Sequence, residues 1–134
     1  MIKKLLKDRT TRKGYVRKLD KIVSEIVQIR DKRCVTCGSY NNPTAGHLFS
    51  RVAYSTRWEL DNVFRQCVGC NLRHEYDSYH FVEWYRKNHG SAAYNRLHRK
   101  YETPKIFKTH DLADLYKSLG KIRDRYIDNY GLAN

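Results

Sequence analysis

The sequence predicts an α+β fold: a strand–strand–helix core clamped by cysteines and flanked by N- and C-terminal helices. Three observations predict it. All four cysteines fall in two pairs, Cys34-Val-Thr-Cys37 and Cys67-Val-Gly-Cys70. Strand-like runs lie between the pairs, and apolar patterns of helical period lie outside them. The 134 residues suit one compact domain. They divide into a basic arm and amphipathic helix over 1–33, a core over 34–90 and a helical extension over 91–134.

Residues 14–30 read as an amphipathic helix, with Val16, Leu19, Val23, Ile26 and Val27 repeating at steps of three and four. Lys3 to Lys13, before it, reads as a basic arm. Thr44–Val52 and Leu60–Gln66 read as two short strands, separated by a polar loop around Ser55–Trp58. A helix follows from about Asn71 to His89, ended by Gly90. Ser91 is a candidate cap for a third helix ending near Tyr101, and Pro104 marks a loop. Thr109 is a candidate cap for the last helix. Its stripe of Leu112, Leu115, Tyr116, Leu119, Ile122, Tyr126 and Tyr130 reads as core or as a dimer seam.

Charge narrows the function classes. Lys and Arg number 27 against 14 Asp and Glu, a net +13. The mean hydropathy is −0.81, and no apolar run approaches the 18 or so residues of a membrane span. The apolar stretch near the start, Leu5-Leu6, is too short for a signal peptide, so a reducing, cytoplasmic setting is expected. Such a surplus on a small domain implies a polyanionic partner, with nucleic acid favoured by an aromatic content of 13%. The surplus is uneven. Residues 1–33 carry twelve basic against four acidic side chains, whereas 34–75 carry four arginines against Glu59, Asp61 and Glu75. Basic flanks enclose a nearly neutral centre.

Two C-x-x-C pairs in a cytosolic chain are a zinc signal. Each pair presents two thiolates about 3.5–4 Å apart, as a tetrahedral site requires. Cys34, Cys37, Cys67 and Cys70 fill the tetrahedron, so the metal is expected to be structural. Gly38 and Gly69 are placed to allow the tight turns. The interval between the pairs exceeds that of a compact zinc ribbon, so something is built into it.

That interval carries Ala45-Gly46-His47 on the first strand and Asp61-Asn62-Val63 entering the second, with Asn71 following the last cysteine. A metal-dependent phosphodiesterase needs a base for water, a group orienting that base and a ligand for a hard cation. His47 can be the base, Asn62 can fix its imidazole through the side-chain carbonyl, and Asn71 can offer an oxygen to Mg²⁺ or Mn²⁺. His47 is a candidate ligand of that cation as well, and His74 or Glu75, three and four residues beyond Asn71, is a further one. Arg51, Arg57, Arg65 and Arg73 are candidate DNA-phosphate contacts. Tyr54 and Trp58 are candidates for stacking on an unpaired base or for the core.

On Ile29–Gly38, Ala45–Arg51 and Asp61–Asn71, and less tightly over 81–126, the chain resembles the phage lambda NinG (Rap) recombination-endonuclease family. The chain also resembles, less closely, the wider HNH, or ββα-metal, nuclease superfamily. The resemblance implies a ββα-metal core and a divalent-metal-dependent DNA endonuclease acting on branched recombination intermediates such as Holliday junctions and D-loops. His47 then takes the general-base position, Asn62 the middle asparagine and Asn71 the final metal ligand. Many members of the superfamily place an acidic ligand directly before the base; here that position is Gly46. Two other readings share the charge and the cysteines: a zinc-stabilised DNA-binding module without catalysis, and a general HNH nickase on duplex DNA. Symmetric cutting of a junction would favour a homodimer.

Overall fold

The computed structural model describes residues 10–131; residues 3–9 of the expected basic arm lie outside them. Helix α1 spans Arg12–Asp31. Thr11 caps it, its hydroxyl oxygen accepting the Gly14 N–H at 3.0 Å. Leu19, Ile22, Val23, Ile26 and Val27 are buried along one stripe, and each contributes about 1.5–3 kcal/mol of apolar burial. Lys32 ends the helix in the left-handed region, φ 66°.

Strand β1 (Pro43–His47) pairs antiparallel with β2 (Val63–Cys67), Pro43 opposite Cys67 and His47 opposite Val63. Both strands are shorter than the sequence predicts, and Asn62 is the reason. The Leu48 N–H still reaches the Asn62 carbonyl at 2.8 Å. The return bond is missing: the Asn62 N–H turns to the Glu59 carbonyl at 2.9 Å, and the Leu48 carbonyl takes its bond from His74, so the ladder stops there. The Asn62 side chain then holds the chain beyond the strand, accepting from the Phe49 N–H and donating to the Phe49 carbonyl. The expected polar loop contains a short helix, α2 (Tyr54–Arg57), with Ser55, Thr56 and Trp58 buried.

The single helix expected over 71–89 is two: α3 (Val68–His74) and α4 (Tyr79–His89). Helix α3 begins earlier than predicted because Cys67 is its cap, the sulfur accepting the Cys70 N–H at 3.4 Å. It ends in a turn where the N–H groups of Tyr76 and Asp77 both return to the Arg73 carbonyl. Asp77 then accepts the Tyr79 N–H and restarts the chain as α4. Gly90, φ 89°, ends α4 as expected. Helices α5 (Ser91–Glu102) and α6 (Thr109–Tyr126) follow, then a π-helical turn, Ile127–Gly131. Ser91 and Thr109 are first helical residues, the cap positions being Gly90 and Lys108.

Alternation along the strands sends side chains to two cores. Val63 joins α1, α6 and Trp58, with Ala45 packed against them, whereas Leu48 and Phe64 join Phe81, Tyr85 and Leu97 from α4 and α5. The α6 stripe lies on α1 within the chain: Leu112 and Leu119 are buried, and Leu115, Tyr116, Ile122 and Tyr126 are partly so. That face is core, not a free seam. No helix among the described residues is long and apolar enough to cross a membrane.

Candidate metal centre and catalytic cleft

The sulfurs of Cys34, Cys37, Cys67 and Cys70 all lie within 4.8 Å of one another. Two turns make this possible. The Cys37 N–H points at the Cys34 sulfur at 3.5 Å, just as Cys70 does at Cys67, and the Val35 N–H bonds the Arg65 carbonyl on β2 at 2.9 Å. Gly38 adopts φ 81°, which requires glycine. Gly69 does not; it sits in the first turn of α3 with an ordinary φ. Burial opposes ionisation of Cys34, but backbone N–H groups at Cys37, Cys67 and Thr36 outweigh it and lower the thiol to about 7. Burial raises Cys70, and the neighbouring thiols raise it further. Four thiols of which one ionises readily and another resists form a site whose negative charge a zinc ion can neutralise.

The second site is a cleft of about 500 Å³ lined by Ala45, His47, Ser50, Arg51, Asn71, His74 and Glu75. Ala45 and His47 come from the α1 side of the sheet, and the α3 residues from the other side. The cleft therefore opens at the free edge of β1. Three cleft side chains are held by carbonyls or hydroxyls that leave an electron pair unused. His47 Nε2 is 3.0 Å from the carbonyl oxygen of Arg57. A carbonyl only accepts, so Nε2 carries the hydrogen and Nδ1 the lone pair. His74 Nε2 donates likewise to the Leu48 carbonyl at 2.8 Å, and its Nδ1 is buried without a hydrogen-bond partner.

Asn71 is oriented by a relay. Thr44 donates its hydroxyl hydrogen to the Gln66 carbonyl at 2.8 Å, so its oxygen must accept from Asn71, whose Nδ2 lies 3.0 Å away. Oδ1 is left available on a residue that lines the cleft. His74, Asn71 and Glu75 give the cleft one imidazole nitrogen, one amide oxygen and one carboxylate, the last two being donor types that Mn²⁺ and Mg²⁺ take. Among the described residues, however, only the four cysteines form a group of three or more His, Cys, Asp or Glu ligand atoms this close together.

His47 is half-buried, and its pKa lies below the usual 6.5. Burial is the main cause; the charges of Arg51 and Arg57 add to it, while the Arg57 carbonyl and Asp20 act in the opposite direction. The neutral ring, which a base requires, is favoured.

Asn62 stands elsewhere than expected. Fully buried, it accepts from the Phe49 N–H and donates to the carbonyls of Phe49 and Thr56. It ties down the segment whose next carbonyl, that of Arg57, holds His47, so it acts on the imidazole through the backbone. Of the four arginines, Arg51 lines the cleft and is exposed. Arg57 is engaged by Asp20 in a two-bond pair at 2.7 and 3.0 Å, with Trp58 Nε1 on the same carboxylate. Arg65 reaches the Tyr40 carbonyl, and Arg73 lies against the Cys70 sulfur at 3.9 Å. Tyr54 and Trp58 pack in the α1 core.

Sequence reasoning missed Thr44, Asp20 and Gln66. Asp20 carried a signal, a carboxylate beside the apolar stripe of α1. Gln66 explains Gly46: a Cβ at residue 46 would stand 1.9 Å from Gln66 Oε1. Gln66 is wholly buried, with Nε2 bonded to Thr36 in the first cysteine turn at 2.8 Å. Its amide occupies the space that a side chain before His47 would enter.

Fold and site together define a small cysteine-clamped strand–strand–helix protein with a histidine-bearing cleft at one strand edge. The chain belongs to the bacteriophage lambda NinG protein family, whose model matches residues 2–125. No curated protein and no solved structure matches it.

Proposed function

We propose that this chain is a divalent-metal-dependent DNA endonuclease of the ββα-metal type, acting on branched recombination intermediates. The observation that carries the reading is the cleft, where His47, His74 and Asn71 each keep an acceptor atom free through a hydrogen bond made on their other side. Family membership and the net charge of +13 support it. His47 Nδ1 would take the proton of the attacking water, while the Arg57 carbonyl stabilises the resulting imidazolium through Nε2–H. Arg51 would neutralise the phosphate that enters the cleft. Asn71 and His74, with Glu75, would hold Mg²⁺ or Mn²⁺, which when bound supplies charge stabilisation to the phosphate and the leaving oxygen. The zinc held by the cysteines would have no open position and a purely structural part.

The test incubates the protein with a four-way junction and with linear duplex, in Mg²⁺, in Mn²⁺ and in EDTA. Metal-dependent cutting of the junction in preference to duplex is expected. Intact DNA in every lane alongside a clear gel shift would leave a zinc-stabilised binding module, and equal cutting of both substrates a general nickase.

A further inference from the structure

The cations of α1 sort into two groups. Arg12 donates to the Phe107 carbonyl and lies near the Tyr54 ring. Lys18 lies near the rings of Tyr15 and Tyr116, and Arg30 is engaged by Asp31 and by the carbonyls of Leu60 and Val63. Lys13, Arg17 and Lys21 are exposed and have no ion pair, hydrogen bond or ring contact among the described residues. The acids that could neutralise them are engaged from other elements, Asp20 by Arg57 and Glu25 by Arg123 at 3.3 Å.

The three free cations are four residues apart, so they form one row, about 12 Å from end to end at 1.5 Å rise per residue. Continued along α1, the same face carries Gln28, whose Nε2 donates to the Thr44 carbonyl on β1 at 3.0 Å. At the other end of β1, Asp20 and Val23 share a smaller cavity with His47 and Arg51. Helix α1 therefore runs antiparallel to β1, and its basic row flanks the strand end that carries His47.

We propose that Lys13, Arg17 and Lys21 are a DNA-backbone rail that leads the strand into the cleft, replacing Arg57 and Arg65 in the phosphate-binding role. This rests on the endonuclease reading above. A row of unpaired cations beside a phosphate-cleaving site meets a polyanion by counterion release, with little demand on geometry. Arg51 marks where the rail reaches the cleft.

The experiment measures binding to a four-way junction by fluorescence anisotropy in EDTA across a salt series, so that cleavage plays no part. The chain with Lys13→Gln, Arg17→Gln and Lys21→Gln is compared with one carrying Lys87→Gln, Lys117→Gln and Lys121→Gln, exposed cations of α4 and α6. Circular dichroism confirms that both fold. The α1 triple is expected to bind roughly tenfold or more weakly, with a salt slope smaller by about 2–3; the control, of equal net charge, is expected to change little. Equal losses in both triples, or none in either, would overturn the rail and leave the endonuclease reading standing. Failure of the unaltered chain to bind DNA would overturn both. Loss of binding to phosphatidylglycerol vesicles with DNA binding unchanged would overturn the rail in favour of a membrane surface.

Discussion

His47 is held through Nε2 by the carbonyl oxygen of Arg57, 3.0 Å away, and this one contact sets which nitrogen can take a proton. The same residue's side chain is fixed by Asp20 on α1. The imidazole is thus positioned by a backbone group whose own place depends on a helix distant in sequence.

Activity should follow the neutral form of His47. Its pKa lies below 6.5, mainly through burial. Protonation removes the base as pH falls, so kcat is expected to be level from about pH 7 upward and to drop through an acid limb centred below 6.5. A pH–rate profile checks this; a limb centred above 6.5 would contradict the burial argument. Asp20 raises this pKa, so Asp20→Asn should move the limb further towards acid.

His74→Ala should weaken Mn²⁺ binding about tenfold or more, since it removes a buried nitrogen with no other partner. Electron paramagnetic resonance titration of Mn²⁺ reads this without cleavage. Junction affinity in EDTA should stay unchanged, and an unaltered Mn²⁺ affinity would remove His74 from the ligand set.

Cys67→Ser should abolish stoichiometric zinc binding and unfold the core, because it removes one of the four clustered thiols while the serine hydroxyl keeps the cap of α3. Zinc content by mass spectrometry and far-ultraviolet circular dichroism check the two parts. A native spectrum in a zinc-free variant would contradict the structural role of the site.

Gly46→Ala should destabilise the chain by about 1–3 kcal/mol, because the new Cβ meets a wholly buried glutamine anchored on Thr36. Adding Gln66→Ala opens the space, so the double variant should lose less than the sum of the single ones. Chemical denaturation measures all three. Strict additivity would show that the two residues do not compete for that space.

The parts legible in the sequence were those with a period or a spacing. The stripe of α1, the two cysteine pairs and the stop at Gly90 all stand where the pattern puts them. His47, Asn71, His74, Glu75 and Arg51 also share one cleft, as their order along the chain implies. What was not legible depends on single side chains acting across the fold. Asn62 ends the ladder by turning its own N–H to the Glu59 carbonyl, and Asp77 breaks what reads as one continuous helix without a glycine or proline to mark it. The engagement of Arg57 by Asp20 joins residues 37 apart in sequence. Charge counting alone cannot separate an arginine held inside the fold from one offered to DNA.

The central claim is that His47 is the base of a DNA-cleaving site, and one comparison tests it most directly. Unaltered protein and His47→Ala are assayed on the same four-way junction, for cleavage in Mn²⁺ and for binding in EDTA. The site described here predicts that cleavage is lost while affinity stays within about twofold, one imidazole being a small part of a phosphate-driven contact. Cleavage that survives the substitution would contradict it.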